Sequence, residues 1–230
     1  MRLHKWLSKV GICSLRKAEE LIAQGQVFVD GKKAVKGQDI DESTADIVVN
    51  GKAVPKAEPQ LYYYMLYKPV GIVCSNRSDD GKPCLSDLEA IKKLGIKLSS
   101  VGRLDFFSEG LLILTNDGPF CNRLMHPRYE VTKLYRVESN APLPAQAIIE
   151  LKHGIELEDG LVTANVATLA PANYDVTISV GRNRIIRRIF EHYGLHVKRL
   201  TRIGVGELRL DPKLRPGELR SLSEAELKLL

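Results

Sequence analysis

Asp105 stands between Arg103 and Glu109, directly before an apolar run at 111–114 that ends in the turn signal Asn116-Asp117-Gly118. A carboxylate at the mouth of a strand fit for burial is costly unless it is paired or used. It could be a structural partner of Arg103. A second concentration of chemistry lies in GRNRIIRRIFEHYGLHVKRLTR, residues 181–202, where seven Lys/Arg face the single acid Glu191. Helical spacing places Arg184, Arg187, Arg188 and Glu191 on one face, opposite Ile185, Ile186, Ile189, Phe190 and Tyr193. Stacked guanidiniums on an anchored helix suit phosphate groups, although solvated arginine faces share the pattern.

These residues need elements to hold them. The chain has 230 residues, 44% of them apolar, which is enough for a packed core and excludes a disordered reading. The formal charge of +6 favours a polyanionic partner. Cys13, Cys74, Cys84 and Cys121 form no C-x-x-C pair and have no histidines at zinc spacing, so they read as reduced thiols, and no metal is expected. No segment approaches the ~20 apolar residues of a membrane span, and the N-terminus lacks a signal-peptide core. A cytoplasmic protein without membrane contact is expected.

At the N-terminus, Leu3, Trp6, Leu7 and Val10 have helical spacing, and Ser14 is an N-cap for a second helix whose apolar face is Leu15, Ala18, Leu21 and Ile22. Two hairpins follow, turning at Asp30-Gly31 and Asn50-Gly51. Arg2, Lys5, Lys9, Arg16, Lys17, Lys32, Lys33 and Lys36 outweigh Glu19, Glu20 and Asp30, while Asp39, Asp41, Glu42 and Asp46 come later, which predicts a basic face. Residues 1–55 thus read as one module, 56–61 as a linker containing Pro59, and 62–230 as a second domain. In the latter, strands are expected at 62–67, 111–115, 132–138, 174–180 and 196–203, with helices at 119–125, 145–152 and 183–193. Strands and helices do not alternate regularly. The fold class is therefore α+β, with a mixed, largely antiparallel sheet.

KPVG at 68–71, GRLD at 102–105, SEGLLILTNDG at 108–118, KLY at 133–135 and GRNRIIRR at 181–188 occur in the order found in pseudouridine synthases. The chain resembles the branch of that family that modifies ribosomal RNA and carries an N-terminal S4-type RNA-binding module. RLHKWL, SLRKAEELI and GQVFVDG match that module. The resemblance implies that Asp105 is the nucleophile in an isomerisation that detaches uracil from C1′ and rejoins it through C5. It implies that Arg187 is the basic partner holding that carboxylate ionised. Tyr135 would stack on the uracil and take the C5 proton. Arg103 would hold the flipped nucleotide, and Lys68 and Pro69 would shape the site. No cofactor is implied. The chain departs from the family at Ile185, where glutamine is common, at Phe106, Phe107 and Ser108 after the aspartate, and at Leu15 in the S4 helix.

The expected partner is ribosomal RNA or a ribosomal assembly intermediate, met by a monomer. A uridine stacked in RNA must be flipped out to reach Asp105, at a cost of roughly a few kcal/mol. Phosphate contacts from Arg182, Arg184, Arg188, Arg2, Lys5, Arg16 and Lys17 would offset it. The Arg-Asn-Arg at 182–184 resembles the large-subunit branch, which favours 23S rRNA over 16S rRNA. Two other classes stay open: an S4-type RNA binder without catalysis, which needs no acid–arginine–tyrosine set, and a glycosidase using Asp105 with Glu109.

Overall fold

The computed structural model describes residues 1–55, 60–77 and 80–230. Residues 56–59, most of the expected linker, lie outside the described residues. The described chain forms two compact units, one of Met1–Leu61 with Asn116–Gly118 and one of Tyr62–Thr115 with Pro119–Leu230.

The first unit begins with helices α1 (Leu3–Lys9) and α2 (Leu15–Ala23). The Ser14 hydroxyl accepts from the Lys17 backbone N–H at 3.3 Å, capping α2. Leu3, Trp6 and Leu7 of α1 and Ala18, Leu21 and Ile22 of α2 are buried in one core with Val27, Val29, Ile47 and Val49. Leu15, expected on that apolar face, is exposed. At the first helical position its side chain leans back past the helix N-terminus, away from the core. Strands β1 (Val27–Val29), β2 (Lys32–Lys33), β3 (Ile47–Val49) and β4 (Lys52–Ala53) form a sheet in the order β2-β1-β3-β4. Asp30 and Gly31, and likewise Asn50 and Gly51, all have positive φ, as the tight turns predicted there require.

The second unit contains β5 (Tyr63–Lys68), α3 (Glu89–Lys92), β6 (Ser99–Ser100), β7 (Glu109–Thr115), α4 (Gly118–Met125), β8 (Lys133–Ser139), α5 (Ala145–His153), β9 (Ile155–Leu157), β10 (Gly160–Val162), β11 (Asn165–Ala170), β12 (Asn173–Ile178), α6 (Ile185–His192), β13 (Val197–Val205), β14 (Leu208–Arg209), β15 (Leu219–Ser221) and α7 (Glu224–Leu227). Its main sheet runs β11-β12-β8-β13-β7-β5-β15, with β14 on β13 and β6 on β7. The pairing is antiparallel except between β13 and β7. The mixed α+β class and every strand and helix expected in this unit are present, with ends within two residues. The edge strand β11 and the β9–β10 hairpin were not expected. β11 is largely exposed and carries little apolar alternation.

β7 is buried along its whole length. Leu111 and Ile113 enter one core, with Met65 and Phe120, whereas Leu112 and Leu114 enter another, with Leu66 and Leu104. That double burial explains its unbroken apolar run. Helix α6 adds Ile185, Ile186, Ile189 and Phe190 to a third core, with Val137, Tyr174 and Val176.

The parallel contact of β13 with β7 brings the two backbones unusually close at Gly110. A Cβ there would lie 2.3 Å from the Arg202 carbonyl oxygen and 2.8 Å from its nitrogen, and Gly110 has φ +107°. Only glycine fits. Gly110→Ala is expected to cost about 3 kcal/mol from strain and overpacking, whereas Gly118→Ala, which meets nothing within 4 Å, changes stability little. Urea unfolding followed by circular dichroism measures both; equal stability of the two variants would show that this approach is not a constraint.

Candidate active site

Strand register places a row of residues on one face of the sheet: Lys68 opposite Gly110, Gly110 opposite Arg202, Arg202 opposite Tyr135 and Tyr135 opposite Val176. The loop carrying Asp105 enters β7 at the Gly110 end of this row. Each carbonyl from 105 to 108 is held by a donor. Asp105 O accepts from Ser108 N at 3.0 Å and from Lys68 Nζ at 3.2 Å. Phe106 O accepts from Gly71 N at 2.8 Å, Phe107 O from Arg187 Nη2 at 2.8 Å, and Ser108 O from Lys68 Nζ at 2.9 Å. A third bond from Lys68, to Pro69 O at 2.9 Å, uses the last ammonium hydrogen. The Leu104 N–H donates to Cys74 Sγ at 3.2 Å. Lys68 is wholly buried, and this burial pushes its ammonium pKa below the ordinary value.

The Asp105 side chain is half-buried. Among the described residues its carboxylate has no hydrogen-bond or ion-pair partner. The expected pairing with Arg187 is therefore corrected: Arg187 does turn inward, 9% exposed, but its terminal nitrogens go to Phe107 O and Val197 O at 2.8 Å each. Its Nε is buried without a partner. Burial lowers the Arg187 pKa, the nearby Arg184 adds to that, and Asp105 acts as a charge opposing it. The two charges sense each other without touching. The structural pairing of Asp105 with Arg103 is not formed either.

Asp105 lines a cavity of about 500 Å³ together with Arg103, Ser108, Lys133, Tyr135, Arg182, Arg184, Arg202 and Cys74. Of the described lining residues, Asp105 is the one carboxylate, against five Lys/Arg. Tyr135 is half-buried between two apolar clusters. Burial pushes the Cys74 thiol up and, with help from Arg202, the Lys133 ammonium down. Glu109, the other acid of the opening motif, is engaged elsewhere. Its carboxylate accepts from Arg199 at 2.6 Å and Thr201 at 2.9 Å, in the alternate register from Gly110. It does not line the cavity, which removes the geometry a paired-carboxylate glycosidase needs.

The stacked arginine face takes a different form. Helix α6 begins at Ile185, and Arg184 precedes it in the left-handed conformation with φ 48°. Arg188 makes a bidentate pair with Asp159 at 2.7 and 2.9 Å. Arg182 contacts the same carboxylate at 3.3 Å and the Gly160 and Leu161 carbonyls at 2.7 and 2.9 Å. Both side chains thus anchor the β9–β10 hairpin instead of presenting a free phosphate face. Arg184 has only a 3.4 Å contact with Glu191, and exposed Arg103 has no hydrogen-bond or ion-pair partner among the described residues. In the N-terminal unit the later acids Asp39 and Glu42 fold back onto Arg2 and Lys9, and Glu20 pairs within α2. Arg2 pairs with Asp39 at 3.1 Å, Lys9 with Glu42 at 2.6 Å, and Lys17 and Arg16 with Glu20 at 3.1 and 3.9 Å. Lys5 has no ion pair among the described residues. These exposed pairs are weak and exchangeable.

Arg202 and Lys133 were not singled out from the sequence. The available signal was parity, since Arg202 shares the inward register of Leu200 in β13.

The profile of the family described as RNA pseudouridylate synthase matches residues 62–192, and that of the S4 domain matches residues 1–42. The chain is 37% identical to ribosomal large subunit pseudouridine synthase B of Bacillus subtilis, covering 100% of this chain and 95% of that protein. It is 40% identical to an uncharacterized RNA pseudouridine synthase of Mycobacterium bovis, covering 99% and 91%. A crystal structure of a pseudouridylate synthase superposes with a TM-score of 0.73 at 31% identity, covering 100% of both chains.

Lys68→Met is expected to take a donor from the Pro69, Asp105 and Ser108 carbonyls, the last of these bonds buried, and to cost about 3 kcal/mol. Hydrogen–deuterium exchange at the Ser108 and Gly71 amides should accelerate, because both bond to carbonyls of the released loop. Unchanged protection would show that Lys68 does not hold that loop.

Proposed function

Because the chain belongs to the RNA pseudouridylate synthase family, we propose that this RNA pseudouridine synthase converts a uridine of 23S rRNA to pseudouridine, with Asp105 as nucleophile. The observation that carries the reading is the Asp105 carboxylate: half-buried, without a partner among the described residues, and set in a cavity whose other described charged lining residues are all cations. A carboxylate engaged in an ion pair would have to break it before attacking C1′. Here the loop is rigid through its carbonyls, while the side chain stays available.

The uridine enters the cavity by flipping. Asp105 attacks C1′ as the C1′–N1 bond breaks, and the bonding pair leaves with the uracil. The detached ring turns and C5 bonds to C1′ as the Asp105–C1′ bond breaks, its pair returning to the carboxylate. Tyr135, beside Arg202 in the sheet row, stacks on the ring and receives the C5 proton as N1 gains one. Arg187 has a positioning role, through Phe107 O and through its long-range charge. Arg103 and Arg184 are the cavity's best-placed phosphate contacts. Arg182 and Arg188 first hold the hairpin and meet RNA only by sharing Asp159. Residues 1–55 serve as the RNA-binding module, with Lys5 among the cations that have no ion pair within the described residues, and Arg2, Arg16 and Lys17 reaching phosphate by exchanging their weak surface pairs. The large-subunit name of the Bacillus relative and Arg182-Asn183-Arg184 support 23S over 16S rRNA. The enzyme acts as a monomer in the cytoplasm during ribosome assembly. Among the described residues, no helix is long and apolar enough to cross a membrane.

Mapping pseudouridine in rRNA from a deletion strain identifies the target. Loss of one 23S mark is expected; loss of a 16S mark instead would overturn the subunit assignment, and no loss would favour the non-catalytic binder. Asp105→Asn should lower the single-turnover rate by at least about 10³-fold while leaving RNA affinity within severalfold. A near wild-type rate would remove Asp105 from the chemistry. Deleting residues 1–55 should weaken rRNA binding and leave a folded remainder; unchanged affinity would count against a separate RNA-binding module.

A further inference from the structure

Ser108 Oγ, Arg187 Nε and Arg202 Nη2 are buried polar atoms without a hydrogen-bond partner, and all three surround the Asp105 loop. Buried donors are normally satisfied, and an exception calls for a partner still to come. Arg202 carries this furthest. It is 4% exposed, yet it lines the cavity. Its Nε donates to Leu111 O at 2.8 Å, which fixes the guanidinium. No carboxylate lies within ion-pairing distance among the described residues, and Lys68 and Lys133 are close enough to sense its charge. Its strand neighbour on the same face is Tyr135.

We propose that Arg202 Nη2 donates a hydrogen bond to a carbonyl oxygen of the flipped uracil. A ring stacked on Tyr135 presents its oxygens at its edge, in its own plane, where an adjacent in-sheet donor can reach them. A phosphate is bulkier and is better met by the exposed Arg103 and Arg184 than by an enclosed nitrogen. The contact also serves the chemistry. When the C1′–N1 pair leaves with the uracil, negative charge spreads onto the two ring oxygens, and a preorganised guanidinium stabilises it there. The inference rests on the reading of this cavity as the isomerisation site.

The test uses the full chain and synthetic RNAs of the mapped rRNA segment carrying uridine, 2-thiouridine or 4-thiouridine at the target. Sulfur accepts hydrogen bonds poorly. With the wild-type enzyme, one of the two substitutions should slow single turnover by roughly tenfold or more, in the range of a charged hydrogen bond. Arg202→Met should be about ten- to a hundredfold slower on the uridine RNA and indifferent to that same sulfur. Wild-type indifference to both sulfurs, or an equal added loss in the variant, would overturn the contact. So would a variant whose only change is a shifted pH–rate profile, which would mean that Arg202 acts on Asp105. Should Arg202→Met fail to fold, Arg202→Lys, which keeps the charge, is measured in its place. Asp105→Asn on the uridine RNA separates the two readings. An active Asp105→Asn refutes the cavity's role, whereas an inactive one with no sulfur coupling refutes Arg202 alone.

Discussion

Two buried cations hold the backbone that carries the Asp105 carboxylate. Lys68 spends its whole ammonium on Pro69, Asp105 and Ser108 carbonyls, and Arg187 ties Phe107 to Val197. Burying a cation is expensive unless all its donors are used, and here most of them are. The consequence is division of labour. The charges needed to fix the loop point at its carbonyls, so the Asp105 side chain is left without a local partner.

The clamp depends on the sheet beneath it. Lys68, Gly110, Arg202 and Tyr135 come from four strands remote in sequence and meet only through register. The parallel contact between β13 and β7 closes this row, and it requires a residue without a side chain at Gly110. Packing and site geometry are here one constraint: any change that spreads these two strands moves the loop, the cation and the tyrosine together.

Charge is organised differently in the two units. In the N-terminal unit the cations lie at the surface, Arg2, Lys9 and Lys17 among them in exposed pairs that ions or phosphates can exchange. Around the cavity Arg103 and Arg184 are exposed, but Lys133, Arg182 and Arg202 are partly or fully withdrawn from water, where each is worth more and is harder to move. The first arrangement suits sequence-independent attraction to a polyanion, the second a fixed geometry around one nucleotide.

Much of this was legible in the chain itself. Apolar periodicity marked most major elements because burial on one face or both leaves a local pattern, as at 111–114 and in the Ile186–Ile189–Phe190 stripe. The hairpins at 30–31 and 50–51 were legible because positive φ restricts residue type. Asp105 and Tyr135 were singled out through motifs, which are also local, and both line the cavity. What only the tertiary structure decided is where each cation's hydrogen bonds go. Arg187 and Arg188 are adjacent on one helix, yet one meets carbonyls from 107 and 197 and the other a hairpin carboxylate at 159. Asp39 and Glu42 looked separate from the basic helices until the fold returned them to α1. Arg202 looked like one more member of a basic run. Its burial, and its unpaired nitrogen, follow from strand partners tens of residues away, and long side chains choose partners by distance in space rather than along the chain.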